Sequence, residues 1–165
     1  MIVVSNSSPL VALARIHRLD LLASLYKRIL IPSEVHQEVV VAGRGLPGAE
    51  EVQRAGWIEV ATLKFPPDSS LLQACQNLGP GERGAILLAK SLQADLTLLD
   101  DGKARRIARD AGIPQIGCLG ILEAGTSQGL VTDLRQTYID LLLQGVRFDI
   151  SLLQNSLARF GLPKL

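Results

Sequence analysis

The chain has 165 residues, of which 47% are apolar and 20% charged, so it is long and apolar enough for one globular core and is not disordered. Its formal net charge of +1 excludes a basic field over the whole surface, so any nucleic acid would need a local patch. Cys75 and Cys118 lack the spacing of a zinc site or disulfide framework, which predicts two free thiols. No leader peptide or membrane-spanning apolar run is visible, which predicts a cytoplasmic protein.

The first half of the chain alternates predicted strands and helices. A β-branched run predicts a strand over 2–5, and Ser8-Pro9 then predicts a helix with serine at its N-cap and proline at its first position. Hydrophobic spacing predicts further helices over 18–26, 32–43 and 49–55, and strands over 28–31 and 57–60. The glycine-rich stretch 42–50 is predicted to be a loop.

The second half continues the alternation. Its clearest helix is predicted over 79–94, where Gly-Pro-Gly precedes an acid in the first turn. The other predicted elements are a loop over 64–70, helices over 71–78, 102–111, 119–127, 132–144 and 150–160, and strands over 96–99 and 115–117. Strands that alternate with helices indicate an α/β fold with a parallel sheet covered on both faces.

Polar groups follow the predicted strands at the edge where such sheets place their functional sites. Asn6 and the pair Asp100-Asp101 come directly after strands, Glu82 begins a helix, and Glu38 lies inside another. We expect the four carboxylates to converge beside the amide of Asn6. Clustered carboxylates repel one another unless a cation lies among them, and an oxygen-only cluster suits Mg²⁺ or Mn²⁺. Such a metal activates water and stabilises the charge of a phosphodiester transition state.

Each acid also has a purely structural explanation. Glu82 complements the dipole of its helix, and Asp100 or Asp101 is a good N-cap. Glu38 shares a helix face with Glu34 and is equally compatible with a solvated position. Taken singly, none of these residues identifies a reaction.

Basic residues crowd the helix after the acidic pair and lie beside Glu82. We predict nucleic-acid contacts from Ser8, Arg83, Lys103, Arg105 and Arg109, with Arg106 nearby. A solvated charged face is the commoner explanation of such a run of bases. Ser7 and Ser8 are expected to hydrogen-bond a metal-bound water or a carboxylate, or to cap the next helix. Aromatic residues make up only 4% of the chain, which favours contact with the phosphate backbone over base reading.

Four segments together resemble the PIN-domain proteins, and more narrowly their prokaryotic, toxin-like branch. They are VVSNSSPLVALARIHRLDLL, ILIPSEVHQEVV, GPGERGAILLAKSLQADLTLLDDGKARRIARDAGI and IGCLGILEAGTSQGLV. The resemblance covers about residues 2–131, so it implies a single domain, 1–165, with that core and a C-terminal helical extension over 132–165. PIN domains have a three-layer α/β/α fold with a central parallel sheet, and many are metal-dependent ribonucleases or toxins of toxin–antitoxin pairs.

Carried over by motif, the family's acids fall at four positions of this chain. The first falls at Asn6, the second at Glu38, the third at Glu82 and the strand-end acid at Asp101, with Asp100 as the alternative. The implied metal ligands are Glu82, Asp101, Asp100 and Asn6. The departure at Asn6 matters, because a carboxamide adds no negative charge and cannot act as a base, which should weaken metal binding.

The resemblance therefore predicts an Mg²⁺- or Mn²⁺-dependent ribonuclease that acts on single-stranded RNA, with an antitoxin partner and a homodimeric assembly. The alternative motivated by Asn6 is a PIN-like module that binds RNA or protein without cutting. A receiver-like phosphoryl-transfer domain ranks third, since its early strand-end aspartate is missing and no P-loop is present. An apolar stripe at Ile150, Leu153, Leu157 and Phe160 fits either the core or an interface.

Overall fold

A five-stranded, all-parallel sheet forms the centre of the molecule in the computed structural model, which describes all residues 1–165. The strands are β1 (Val3–Ser5), β2 (Ile29–Ile31), β3 (Ile58–Val60), β4 (Leu96–Leu98) and β5 (Gln115–Ile116). Their order is β3-β2-β1-β4-β5, so the chain steps outward from β1 to β3 and then returns to build the other half. The direction of winding reverses between β1 and β4, which is the position where open α/β sheets bind ligands.

The register of the two central strands determines which residues meet at that position. Val3 pairs with Leu96 and Ser5 with Leu98. The backbone N–H of Asn6 still donates to the Leu98 carbonyl, at 3.0 Å. Residue 6 and residues 100–101 therefore leave the sheet side by side at its carboxyl edge.

Ten helices cover the sheet. They are α1 (Ser7–Arg15), α2 (Asp20–Tyr26), α3 (Ser33–His36), α4 (Ala49–Arg54), α5 (Ser69–Ala74), α6 (Pro80–Leu92), α7 (Gly102–Asp110), α8 (Cys118–Ser127), α9 (Leu134–Leu143) and α10 (Ile150–Arg159). Helix α3 continues into a π-helical turn over Gln37–Val41. No helix combines the length and apolar character needed to cross a bilayer.

Two hydrophobic cores lie on opposite faces of the sheet. The larger contains 22 buried residues and includes Val3 and Leu98, whereas the smaller contains 15 and includes Val4 and Leu99. Successive strand residues point to opposite faces, so β1 and β2 contribute to both cores. The predicted α/β fold with a parallel sheet between two helical layers is confirmed.

The C-terminal helices α9 and α10 pack into the larger core. Tyr138, Leu153 and Leu157 are fully buried there, together with residues of β1 and β4. The apolar stripe of α10 is consequently divided, because Ile150 remains 48% exposed and Phe160 is half-buried at the edge. Its central residues belong to the core, and only its first residue is free for another contact.

Two details of the predicted elements are wrong. Helix α1 begins at Ser7 with Asn6 at the N-cap, so Ser8 is not the cap. Pro9 is tolerated one position deeper, because the first N–H groups of a helix have no intrahelical acceptor and the missing donor costs nothing. Helix α5 begins at Ser69, since the Asp68 carboxylate accepts the Ser70 N–H at 3.2 Å, and it ends at Ala74 rather than at 78.

A hydrogen-bonded cluster ties α8, α9 and α10 together. The Tyr138 hydroxyl lies 2.6 Å from Ser156 Oγ, and that hydroxyl donates to Glu123 Oε1, also at 2.6 Å. Arg159 pairs with the same carboxylate. Since the serine proton is used toward Glu123, Tyr138 is the donor to Ser156. Burial is the main cause that raises the pKa of Tyr138 to about 12.

We predict a stability difference at alkaline pH between the natural chain and Tyr138→Phe. The raised pKa means that the fold favours the neutral phenol, so its contribution is complete below pH 10 and is lost as the pH rises toward about 12. Tyr138→Phe should cost about 1 kcal/mol of unfolding free energy near neutral pH. By pH 11 the natural chain should lose about 1.4 kcal/mol that the variant does not lose, which is about half of the loss expected once the phenol is fully ionised. Urea unfolding followed by circular dichroism, at about pH 8 and pH 11, measures both values; parallel losses in the two proteins would contradict the prediction.

Candidate active site

A cleft of about 680 Å³ opens at the carboxyl edge of the sheet, beside the ends of β1 and β4. One wall carries polar side chains that the sequence singled out, namely Ser7, Ser8, Glu82, Asp100, Asp101 and Arg105. The far wall comes from the later turns of α1 and from the loop between α9 and α10. The chain segments that form it are far apart in sequence and meet only because the sheet brings their ends together.

Two acids are bound to the N-terminus of helix α6. The Gly79 N–H donates to Glu82 Oε2 at 3.2 Å, and the Gly81 N–H donates to Glu38 Oε1 at 2.9 Å. A helix start offers such free N–H groups and a partial positive charge, which together hold carboxylates in place. Ser7 Oγ donates to the second oxygen of Glu38 at 2.6 Å. Glu38 lies in the π-helical turn, a rare conformation that is often found at functional sites.

Glu82 is electrostatically coupled to two other acids. Its pKa is raised mainly by burial and further by the negative charges of Asp101 and Glu38, while the Gly79 N–H and Lys103 act in the opposite direction. Glu82, Asp101 and Glu38 are therefore close enough to repel one another. These three acids come from the π-helical turn, α6 and the end of β4, whereas the convergence of all four carboxylates around the Asn6 amide stays a prediction.

The adjacent aspartates have different partners. Asp101 Oδ1 accepts the Ala104 N–H at 2.8 Å and caps α7, with its second oxygen free on the exposed side. Asp100 Oδ1 accepts the Cys118 N–H at the start of α8, at 2.6 Å. Burial raises the pKa of Asp100, and the positive charge of Arg105 is among the influences that lower it. Asp101 is thus the aspartate that interacts with Glu82, whereas Asp100 interacts with α8 and Arg105.

Asn6 lies at the base of this arrangement with 3% of its surface exposed. Its backbone is fully engaged, since the N–H bonds the sheet and the carbonyl accepts from Ser5 Oγ at 2.8 Å. Its side-chain amide makes no hydrogen bond to the first turn of α1. Although Asn6 occupies the N-cap position, its side chain does not serve as a cap.

The donor chemistry of the site fits a small divalent cation. The side chains near Glu82 offer oxygen donors and no thiol or imidazole, and the repulsion around Glu82 is the kind that a cation relieves. No three acidic, histidine or cysteine side chains stand close enough together to enclose an ion. Mg²⁺ nevertheless retains several waters and usually needs only one or two protein carboxylates, so the pair Glu82 and Asp101 meets its minimum requirement.

The predicted basic contacts divide into two groups. Arg105 lines the cleft and donates through Nε to Gln115 Oε1 at 2.6 Å, and Lys103 acts electrostatically on Glu82. Arg83 instead acts on the buried thiol of Cys75. Neither Arg83 nor the exposed Arg109 lines the cleft. The direction of a side chain depends on the rotation of its helix, which the spacing of charges alone does not determine.

Sequence reasoning missed the far wall of the cleft. Arg15, Arg147 and Phe148 line it. Arg15 lies in the last turn of α1, and the other two lie in the loop that connects α9 to α10. Nothing in the sequence pattern placed that loop, because its position follows from the packing of the C-terminal helices on the larger core.

We predict that Gly81→Ala disrupts the site but changes the unfolding free energy of the protein little. A Cβ at residue 81 would lie 2.8 Å from Glu38 Oε1 and closer still to Oε2, so the Glu38 carboxylate must move and lose its bonds to Gly81 and Ser7. Alanine gains about 1 kcal/mol of helix propensity, which offsets much of that loss in unfolding free energy. Any nuclease activity should fall about tenfold or more, a cost of at least about 1.4 kcal/mol in transition-state stabilisation. Gly84→Ala is the matched control, because its Cβ would meet Glu34, which lies outside the cleft.

A comparison with known protein families gives one match. A family model described as a PIN domain matches residues 2–162. The matched range includes the carboxylates at the sheet edge, the loop between α9 and α10 and the whole of α10. No curated protein matches the chain, and no solved structure matches it.

Proposed function

Since this chain belongs to the PIN-domain family, we propose that it is a metal-dependent ribonuclease that hydrolyses phosphodiester bonds in the cleft at the carboxyl edge of its sheet. The observation that carries the proposal is the electrostatic coupling of Glu82 with Asp101 and Glu38. Two other acids repel the Glu82 carboxylate, and a cation bound at Glu82 and Asp101 would relieve that repulsion. Phosphodiester hydrolysis is the chemistry that such carboxylate sites support best.

Glu82 and Asp101 are the residues proposed to hold Mg²⁺ or Mn²⁺. When bound, the ion would lower the pKa of a coordinated water and stabilise charge on the scissile phosphate. Asp100 is a further oxygen donor in the cleft lining, and the amide of Asn6, buried at the end of β1, is proposed to support the site. Glu38 is proposed to position Ser7 and the start of α6 and not to bind the ion, because both of its oxygens already accept hydrogen bonds from Ser7 and Gly81.

The basic side chains are proposed to hold the substrate. The guanidinium of Arg105 lines the cleft beside Asp100 and is oriented by its bond to Gln115. Guanidinium groups bind phosphate oxygens in a fixed, bidentate geometry. Lys103 and Ser8 lie on the same side, one near Glu82 and the other in the cleft lining. A phosphate held there would lie next to the carboxylates.

A second function is favoured by Asn6. The carboxamide adds no negative charge at the base of the site, which weakens any cation site and supports the alternative of a PIN domain that binds RNA or protein without cleavage. Pairing with an antitoxin, homodimer formation and a cytoplasmic location stay predictions from the sequence. A binding-only protein would retain RNA in chelator and would release no product with metal.

The test is a cleavage assay with purified protein and labelled single-stranded RNA. We expect product with Mn²⁺ or Mg²⁺, none with chelator, and loss of product in Asp101→Asn, whose amide oxygen still accepts the Ala104 N–H and so preserves the cap of α7. An RNA duplex of the same sequence should be a poorer substrate, because a paired strand cannot enter the cleft alone. Equal cleavage by the natural chain and Asp101→Asn would refute the assignment.

A further inference from the structure

The far wall of the cleft combines an aromatic ring with unneutralised positive charge. Phe148 is half-buried, with its ring packed against the edge of the larger core, and it lines the cleft. The loop that carries it is fixed at both ends. Gly145, with φ of 79°, terminates α9, and the Asp149 carboxylate accepts the Ser151 N–H at 2.8 Å to cap α10. The ring is thus presented by a structured turn.

Three guanidinium groups surround this aromatic surface. Arg15, Arg105 and Arg147 line the cleft, and none of them forms a salt bridge. Arg15 donates to the Gln144 carbonyl at 3.3 Å and Arg105 to Gln115, while Arg147 is exposed. Arg15 and Arg147 have no carboxylate partner, whereas Arg105 lies beside Asp100 on the carboxylate wall. The Asp149 carboxylate next to Phe148 is engaged by Ser151 at the start of α10. The arrangement is complementary to a ligand that carries both anionic and apolar parts.

The floor between the two walls is apolar. Val11, Leu119, Val146 and Leu152 line it beside Phe148. A flat apolar group can therefore lie against the ring while anions attached to it reach the arginines. An acidic helix of a partner protein would fit the cleft less well. An α-helix is about 10–12 Å across, so the cleft volume of about 680 Å³ holds little more than one helical turn.

We propose that the surface around Phe148 is a subsite for one unpaired nucleobase of single-stranded RNA, with the neighbouring phosphates held by Arg15, Arg105 and Arg147. The subsite rests on the proposed function, since it places a strand across the cleft with a phosphate directed at the carboxylate wall. Base stacking on an aromatic side chain tolerates any sequence, because every base has a π-face. The subsite therefore selects unpaired RNA over duplex rather than one base over another.

Fluorescence anisotropy in chelator, where no metal-dependent cleavage occurs, tests the subsite. The probes are a single-stranded oligoadenylate of about 12 nucleotides and an abasic oligomer with the same backbone. Phe148→Ala should weaken oligoadenylate binding by about fivefold or more, the lower end of one base–aromatic stack, and leave the abasic oligomer unaffected. Phe148→Trp should retain the affinity. Phe65→Ala is the matched control, because Phe65 is 61% exposed and lies outside the cleft.

Several results would overturn the subsite. Unchanged binding in Phe148→Ala, or equal weakening for both oligomers, would mean that the ring is only part of the wall. A peptide of alternating glutamate and leucine that displaces RNA, and whose own binding needs Phe148, would assign the surface to a protein instead.

The outcome can be separated from that of the ribonuclease proposal. If binding depends on the bases and on Phe148 but no cleavage occurs in Mn²⁺, the subsite is supported and the ribonuclease proposal is refuted. If the protein cleaves RNA but binds it equally well without Phe148, the ribonuclease proposal is supported and the subsite is refuted.

Discussion

Replacement of Glu82 by glutamine is expected to lower metal-dependent RNA cleavage about 100-fold or more, equivalent to about 2.7 kcal/mol of lost transition-state stabilisation. The substitution preserves shape, and the new amide oxygen still accepts the Gly79 N–H that the carboxylate bonds at 3.2 Å. The first turn of α6 therefore stays capped, and only the negative charge is removed. Rates at saturating RNA over a Mn²⁺ titration distinguish a lost cation ligand, which raises the metal concentration needed, from a general loss of function.

The stability of Glu82→Gln gives an independent check on the same charge. Because Asp101 and Glu38 repel the Glu82 carboxylate, removing its charge should maintain or slightly raise the unfolding free energy in chelator. Glu50→Gln is the matched control, since Glu50 is an exposed acid in a surface pair with Arg54 and lies outside the cleft. A Glu82→Gln protein that is folded and cleaves as fast as Glu50→Gln would exclude Glu82 from the chemistry.

The second large effect is expected from Asn6→Asp. An added carboxylate at a position only 3% exposed, close to an acidic cluster, should cost about 3 kcal/mol of unfolding free energy in chelator and lower Tm by about 6–12 °C. Mn²⁺ should restore much of that loss, because a cation that binds only the folded state stabilises it by mass action. With metal present, cleavage should rise about tenfold or more over the natural chain, since the cation gains an anionic ligand.

Asn6→Asp also decides between the two proposed functions. If the natural chain does not cleave RNA and Asn6→Asp does, the protein is a PIN domain that has lost catalysis through one residue. Asn155→Asp, an exposed change of the same chemistry on α10, is the control for the Tm measurements. If Mn²⁺ raises the Tm of Asn6→Asp no more than that of Asn155→Asp, the new carboxylate does not contact a cation.

The near wall of the cleft was predictable because parallel strands share one carboxyl edge. Hydrophobic runs located β1 and β4, so Asn6 and Asp100-Asp101 were bound to meet once the sheet formed. The far wall was not predictable, because the apolar stripe of α10 fits core and surface equally well, and only packing decides which of its residues are buried. The different partners of Asp100 and Asp101 also escaped prediction, since they depend on where α8 begins relative to β4.

The order of the strands also constrains how the protein is made. β1 is synthesised long before one of its two neighbours, β4, which follows only after residue 95, so half of its pairing waits until the residues between them have been made. Contacts that join such distant segments carry a high entropic cost and form late in folding. Phe148 and the buried residues of α10 arrive later still. A nascent chain that still lacks these segments therefore has no complete cleft.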